Sequence, residues 1–577
     1  MADHQDKPAS IRCVIKYDAL YTSPMLERVN SFCASIALFE VASFSRGAAT
    51  ADSLGREPQG SQCNLARKPR RGDSKPNDSI TVAPPGLAPF LSHVSWDSRP
   101  RLPAVVPTGL SNAATSKLAL WSRLHLQFVC FVTLCLIPLD YPLFAESEHE
   151  SLAESGYRIL RTKPFLPPDF DQQVFDQLWK VWPAPVKSRA RAATPTERRR
   201  MAFSRYGLME VPGQDSSQGP ALGYVDDGKG GWVMNCLACH AGKVAGRVIP
   251  GLPNTHFALQ TLVEDVKLTK LSLLKPFGHL DLASFKIPFG TTNGTTNAVV
   301  FGIALGNVRD RDMRVDRRRP SLKLDHHDLD APPLWNFKKK RSLYCDGFAP
   351  KNHRVLMQFM LLPVYDAKTV YGWEPDFKAI QAWIESLQTP KYPWPIDQPL
   401  AAKGEALFQA NCTRCHGTYG PGGQYKQMTI SLEVVGTDPI RVRALNREHR
   451  LWIRDGWMSR YGKDAVDVEP AGYVAPPLDG IWATAPYFHN GSVPTLWHVF
   501  HPDHRPTVWK RTENGYDKKR VGLEINESDE LPNGLTSAEK RRYFDTRQRG
   551  KSAAGHTFPA RLTEGERRAV LEYLKSI

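Results

Sequence analysis

The chain has 577 residues, 41% hydrophobic and 23% charged, which is ordinary globular composition, long enough for two or more compact units, and excludes a collagen-like or wholly disordered chain. The formal net charge of +16 acts on association rather than on fold. The basic clusters Arg198 to Arg200, Arg317 to Arg319 and Lys338 to Arg341 lack any zinc-finger, helix-turn-helix or aromatic RNA-binding context, so they read as solvated loops and no nucleic-acid partner is expected.

Residues 1–116 mix Ser, Pro, Ala and Arg without sustained apolar periodicity, so this segment is expected to be unstructured and to be an upstream extension outside the working protein. Residues 117–145 then run through Lys117, Arg123, an apolar stretch from Leu126 to Leu139, and Tyr141-Pro142-Leu143-Phe144-Ala145, the order of a signal peptide. That stretch is short for a bilayer span, and Leu143 is bulky for a cleavage site. Both a cleaved signal and an N-terminal anchor at 126–139 are therefore carried forward. Export machinery reads such segments at a chain start, so translation is expected to begin shortly before Lys117. The product would be periplasmic or secreted.

Beyond this point Phe170, Val174, Leu178 and Trp182 recur near helical spacing, as do Phe377, Ile380, Ile384 and Leu387. Between them lie Cys236-Leu237-Ala238-Cys239-His240 and irregular stretches such as residues 290–297. Gln388 to Pro395 is a proline-rich break, after which Lys403 to Asn411 reads as a helix running into Cys412-Thr413-Arg414-Cys415-His416. The chain closes with Thr563-Glu564-Gly565-Glu566, a capping box, and an apolar stripe of Val570, Leu571, Tyr573 and Leu574.

The two Cys-x-x-Cys-His motifs carry the chemistry. Two thiols one helical turn apart can add to the two vinyl groups of one porphyrin, and the next residue then aims an imidazole at iron. Cysteine-pair redox chemistry and zinc ligation are the rivals, but neither needs histidine at the fifth position twice. Two covalently bound haem c groups are expected, held by Cys236, Cys239 and His240 and by Cys412, Cys415 and His416. Cys345 is left alone as a buried small hydrophobe or a reactive thiol. The expected fold is mainly α, with two cytochrome-c-like haem domains, long irregular loops and little strand. The domains are 146–390, the N-terminal haem domain, and 391–577, the C-terminal cytochrome c domain. No methionine follows His240 until Met313, so its distal side is expected to be accessible, with His256, His326, His327 and His353 as side chains that can reach it.

Residues 400–577 resemble a class I cytochrome c domain, whose first and last helices cross beside the haem with a glycine at the contact. Ala485-Pro486-Tyr487-Phe488-His489-Asn490-Gly491-Ser492-Val493-Pro494-Thr495-Leu496 resembles the C-terminal signature of the bacterial di-haem cytochrome c peroxidase superfamily, which includes MauG-type enzymes and the di-haem rubber oxygenases. Similarity to the rubber-oxygenase-like branch lies in Cys236 to Lys243, Gly251-Leu252-Pro253-Asn254, Cys415 to Gly420 and Gly555-His556. Together these cover most of residues 160–577.

The resemblance implies an oxidoreductase acting on peroxide or dioxygen, with or without an organic co-substrate, and served by an electron-transfer protein. The N-terminal haem would be reactive and the C-terminal haem would transfer electrons. A pure electron-transfer cytochrome without substrate chemistry is the alternative. It also implies Trp335 as a relay between the haems, with core packing as the other reading, and Phe348 as an apolar distal residue. Asp503 stands where peroxidases of the group place a methionine ligand. His556 is then the expected second ligand of the C-terminal iron, against the reading of an ordinary surface histidine. His501, His504 and Met458 are reserves, and His489 reads as a structural hydrogen-bonder.

Overall fold

Capping chemistry decides where the main helices begin in this computed structural model, which describes residues 150–214, 219–319 and 325–577. The Ser151 hydroxyl accepts from the Glu154 backbone N–H while the Glu154 carboxylate accepts from that of Ser151, opening the helix Leu152–Thr162. The expected box at Thr563 and Glu566 likewise opens Glu564–Leu574. Asp397 caps Gln398–Asn411, with Pro399 in its first turn, so this helix starts five residues before the expected Lys403.

These helices pack in crossed pairs. Leu152–Thr162 lies on Glu374–Ser386, and Gln398–Asn411 lies on Glu564–Leu574. A glycine sets each crossing: a Cβ on Gly156 would stand 1.9 Å from the Ala379 carbonyl oxygen, and one on Gly404 would stand 1.9 Å from that of Ala569. Backbone meets backbone where any side chain would wedge the helices apart. The crossing at Gly404 matches the cytochrome c resemblance. Its counterpart at Gly156 was not among the sequence expectations.

The expected helix through Phe170 and Trp182 is broken into a short strand, Phe170–Asp171, a helix, Gln172–Gln177, and a 3-10 turn, Leu178–Val181. Asp171 caps the helix and Pro183 follows Trp182, so the run cannot stay continuous. All four apolar residues are nevertheless buried in one core with Tyr206, Trp232 and Val266. A second core gathers Leu160, Phe348, Met357, Phe377 and Trp383, and a third gathers Trp335, Phe408, Trp482, Val570 and Leu574.

Strands are short except for Val508–Asp517 and Gly522–Ser528, an antiparallel pair extended by Tyr543–Asp545. Residues 148–577 form one compact unit, and the expected boundary at 390/391 falls inside it. The segments 1–116 and 117–145 lie outside the described residues. Among the described residues no helix is long and apolar enough to cross a membrane.

Candidate functional site

The first motif follows the strand Gly231–Met234 and occupies the short helix Leu237–His240. Its helix is wedged against Gly223, where a Cβ would come within 2.3 Å of Ala238, and Asn235 anchors it by donating to the Leu160 carbonyl at 3.1 Å. His240 Nδ1 lies 3.1 Å from the Pro332 carbonyl oxygen. That contact fixes Nδ1 as the N–H and leaves Nε2 as the ligating nitrogen, the arrangement typical of metal-bound imidazoles. Burial, reinforced by the charge of Lys340, holds the His240 pKa down at about 4, so the ring is neutral and able to ligate.

The second motif repeats this logic. It forms the turn Thr413–His416 at the end of Gln398–Asn411, and His416 Nδ1 lies 2.9 Å from the Pro476 carbonyl. Burial lowers the His416 pKa. Opposite it stands His556, with the ring centroids 6.1 Å apart. Metal–imidazole bonds of about 2 Å put two rings on opposite sides of one metal with centroids roughly 6 Å apart. His556 Nδ1 is buried without a protein partner, and burial holds the pKa down at about 3.

The thiols agree with covalent attachment rather than with redox exchange. All five cysteines among the described residues are free, and burial pushes Cys236 and Cys412 up to about 11 and Cys239 up to about 12. Redox Cys-x-x-Cys thiols are shifted in the opposite direction. Burial likewise pushes Cys345 up to about 12, which makes it an inert thiol. Among the described residues no group of three or more His, Cys, Asp or Glu is arranged to hold a metal ion by itself. The donor set thus suits a haem at each motif: a carbonyl-oriented neutral imidazole beside two free thiols.

The segment that orients His240 also reaches the segment that orients His416. Three residues after Pro332, Trp335 is fully buried and donates from Nε1 to the Asp479 carbonyl at 2.8 Å, while Asn336 donates to the Pro477 carbonyl at 3.1 Å. Pro476, which orients His416, immediately precedes Pro477. Trp335 therefore sits on a stretch of main chain, linked by hydrogen bonds, that joins the carbonyl orienting His240 to the one orienting His416.

Phe348 is fully buried, stacked on Tyr344 with centroids 5.2 Å apart and flanked by the guanidinium groups of Arg450 at 4.9 Å and Arg441 at 5.5 Å. Of the reserve ligands, His501 has both ring nitrogens engaged, by the Trp497 carbonyl and by Glu564, each at 2.7 Å. Met458 is packed in the core that holds Phe348, and His504 is exposed. His353 contacts Glu374 through Nε2, His326 is exposed, and the Nε2 atoms of His256 and His327 are buried and unpartnered. His489 Nε2 is buried and has no partner among the described residues, and the ring stacks on Tyr473 at 4.1 Å. Sequence reasoning missed Arg505, which donates to the carbonyls of Ala553, Gly555 and His556 and so grips the turn that presents His556.

Comparison with known proteins agrees with this geometry in the C-terminal part. A family described as RoxA-like, cytochrome c-like matches residues 472–510, and the family of cytochrome c oxidase, cbb3-type, subunit III matches residues 399–470. Two proteins of Sinorhizobium fredii (strain NBRC 101917 / NGR234) are similar, each at 30% identity: Uncharacterized protein y4iM, over 39% of this chain, and Uncharacterized protein y4iJ, over 33% of it. The chain spans 56% of the first relative and 41% of the second, about half of their length. Cytochrome c-like sequence supports covalently held haem c and electron transfer.

Proposed function

We infer that this chain, a member of the cytochrome c superfamily through residues 399–510, is an exported di-haem oxidoreductase acting on peroxide or dioxygen. The haem at Cys236 to His240 is the reactive one, and the haem at Cys412 to His416 handles electrons. The asymmetry of the two imidazoles carries this reading. His416 is faced by His556, whereas among the described residues no second imidazole ring contacts His240. A c-type haem with an accessible axial position supplies redox chemistry toward small oxidants.

The chain's own residues supply the rest. Pro332 holds the His240 imidazole in its neutral, ligating tautomer. Trp335 and Asn336 join that carbonyl's segment to the one orienting His416. The apolar ring of Phe348 belongs to the lining of the first crevice in this reading, which favours an oxygenase over a peroxidase with a distal acid–base residue. Export, to the periplasm or beyond, follows from the signal-like segment 117–145 and from the need to keep thiols reduced until haem is attached, with 126–139 as an anchor if it is not cleaved. Its partners in this reading are a small oxidant and, depending on whether it acts as a peroxidase or an oxygenase, an electron-transfer protein or an organic co-substrate.

The test is expression with a c-type maturation system, followed by haem-stained denaturing electrophoresis and an optical spectrum. Stain should stay on the polypeptide, each Cys-to-Ala motif variant should lose about half of it, and the spectrum should contain a five-coordinate component that responds to cyanide or peroxide. Two saturated low-spin haems would instead identify a pure electron carrier. A zinc-containing apoprotein would overturn the haem reading.

A further inference from the structure

A group of buried basic side chains outside the two motifs is left with unused hydrogen-bonding capacity. Arg441 is fully buried, and its Nη2 bonds Asp346 at 3.3 Å, but its Nε and Nη1 have no partner. The rings of Tyr344 and Phe348, at 5.7 and 5.5 Å, meet the guanidinium charge. They do not accept its in-plane N–H groups, which are obligatory donors. The Nε2 atoms of His489 and His327 are likewise buried and unpartnered. Burial above all, and after it the nearby charge of Arg441, depresses the pKa of both histidines, so the three side chains lie within electrostatic reach of one another.

Charge accounting points the same way. Arg441 and Arg450 both pair with the single carboxylate of Asp346, and all three side chains are at most 1% exposed. This trio carries one net positive charge into the interior, a condition that a further anion would relieve. Cation–π contacts lessen that charge but do not cancel it.

The location is also informative. Phe488, next to His489, lies against His556 with centroids 5.9 Å apart. The His489 carbonyl accepts from the Asp330 N–H at 2.9 Å, two residues before the Pro332 that orients His240. Five residues before Arg441, Gly436 is packed against Gly555. The His489 segment therefore touches both the residue that faces His416 and the segment that orients His240.

We propose that Arg441 and His489, with His327 alongside, form a carboxylate-binding cradle that receives a propionate group of a haem attached at one of the two motifs. The proposal rests on the haem reading above and deepens it, assigning residues that no attachment motif contains. Arg441 contributes charge and two donors, and His489 contributes the Nε2–H of a neutral ring held by its stack on Tyr473.

The experiment uses the full-length, haem-loaded protein. Arg441→Met removes the charge, and His489→Phe keeps an aromatic ring on Tyr473 while removing the donor. Resonance Raman spectra report the propionate bending bands, and spectroelectrochemical titration reports the midpoint potential of each haem. In both variants the band of one haem should shift, and in Arg441→Met its potential should fall, because an uncompensated propionate favours ferric iron. Repeating the Raman measurement in a Cys412→Ala/Cys415→Ala background assigns the source: a shift that persists belongs to the Cys236 haem, and one that disappears belongs to the Cys412 haem. Should Arg441→Met fail to fold, His489→Phe carries the test alone. Variants that keep both haems with unchanged bands and potentials overturn the cradle, even if they melt at lower temperature. A wild-type polypeptide without haem stain overturns the underlying haem reading instead, and the two failures are thereby told apart.

Discussion

His556 occupies a backbone conformation that a non-glycine residue rarely adopts, with φ +47° directly after Gly555 at +80°. Such strain costs on the order of 1–3 kcal/mol and persists only where the surroundings over-determine it. Here they do. The His556 N–H donates to the Val435 carbonyl at 2.7 Å, Gly555 is pressed so closely on Gly436 that a Cβ would lie 2.2 Å from its carbonyl carbon, and Arg505 donates to five main-chain carbonyls, those of His498, Val499, Ala553, Gly555 and His556. Arg505 is thus a positioning residue for the ring of His556, acting through the turn that carries it. His556→Ala should convert one low-spin haem to a form that binds cyanide. Arg505→Lys, with three donors in place of five, should give a mixture of the two spectra. An unchanged low-spin spectrum in His556→Ala would remove it as a ligand. The pair Gly555-His556 was legible from the sequence through family resemblance, but Arg505 was not, because the three partners in the His556 turn lie about fifty positions away and an arginine that bonds only carbonyls leaves no motif.

The helix crossings show the same division at the next scale. Gly404 could be read in advance, since it precedes a Cys-x-x-Cys-His motif by a short amphipathic helix and the chain ends in a capped helix to meet it. Gly156 could not, because its partner helix Glu374–Ser386 is more than two hundred positions away and its motif is separated from it by an intervening core. Strand pairing was also hard to see: Leu523 and Ile525 alternate with Glu524 and Asn526, but their partner strand Val508–Asp517 shifts register between Arg511 and Tyr516, which breaks the period of two. Gly404→Ala sets two effects against each other. Alanine improves helix propensity by about 1 kcal/mol, whereas overpacking typically costs about 1–3 kcal/mol. The clash wins, because the obstructing atom is a backbone carbonyl 1.9 Å away that cannot rotate aside. Thermal unfolding should therefore show Gly404→Ala destabilised, and a variant as stable as its parent would contradict the observed crossing.

At the scale of the whole molecule, Trp335 joins the segments that orient the two motif histidines. Its ring belongs to the core containing Leu252 from the first half and Phe408, Trp482 and Val570 from the second. Its Nε1–H bonds the Asp479 carbonyl, and Gly480 fits against the ring so closely that a Cβ would come within 3.2 Å of it. Packing alone would explain the burial of an indole. It would not require both neighbouring segments to end on the carbonyls that orient His240 and His416, as they do at Pro332 and Pro476. Trp335→Phe separates the two roles, since phenylalanine keeps most of the apolar contact and loses the N–H. Leaving the Asp479 carbonyl without its donor should cost about 1–3 kcal/mol of stability, visible in thermal melts. Removal of the relay should in addition slow electron transfer between the haems by about tenfold or more, equivalent to at least about 1.4 kcal/mol on the barrier. Rapid-mixing reduction followed at haem-resolved wavelengths measures that rate directly. A native rate in a variant that is merely less stable would assign Trp335 to packing and leave the path between the motifs to other residues.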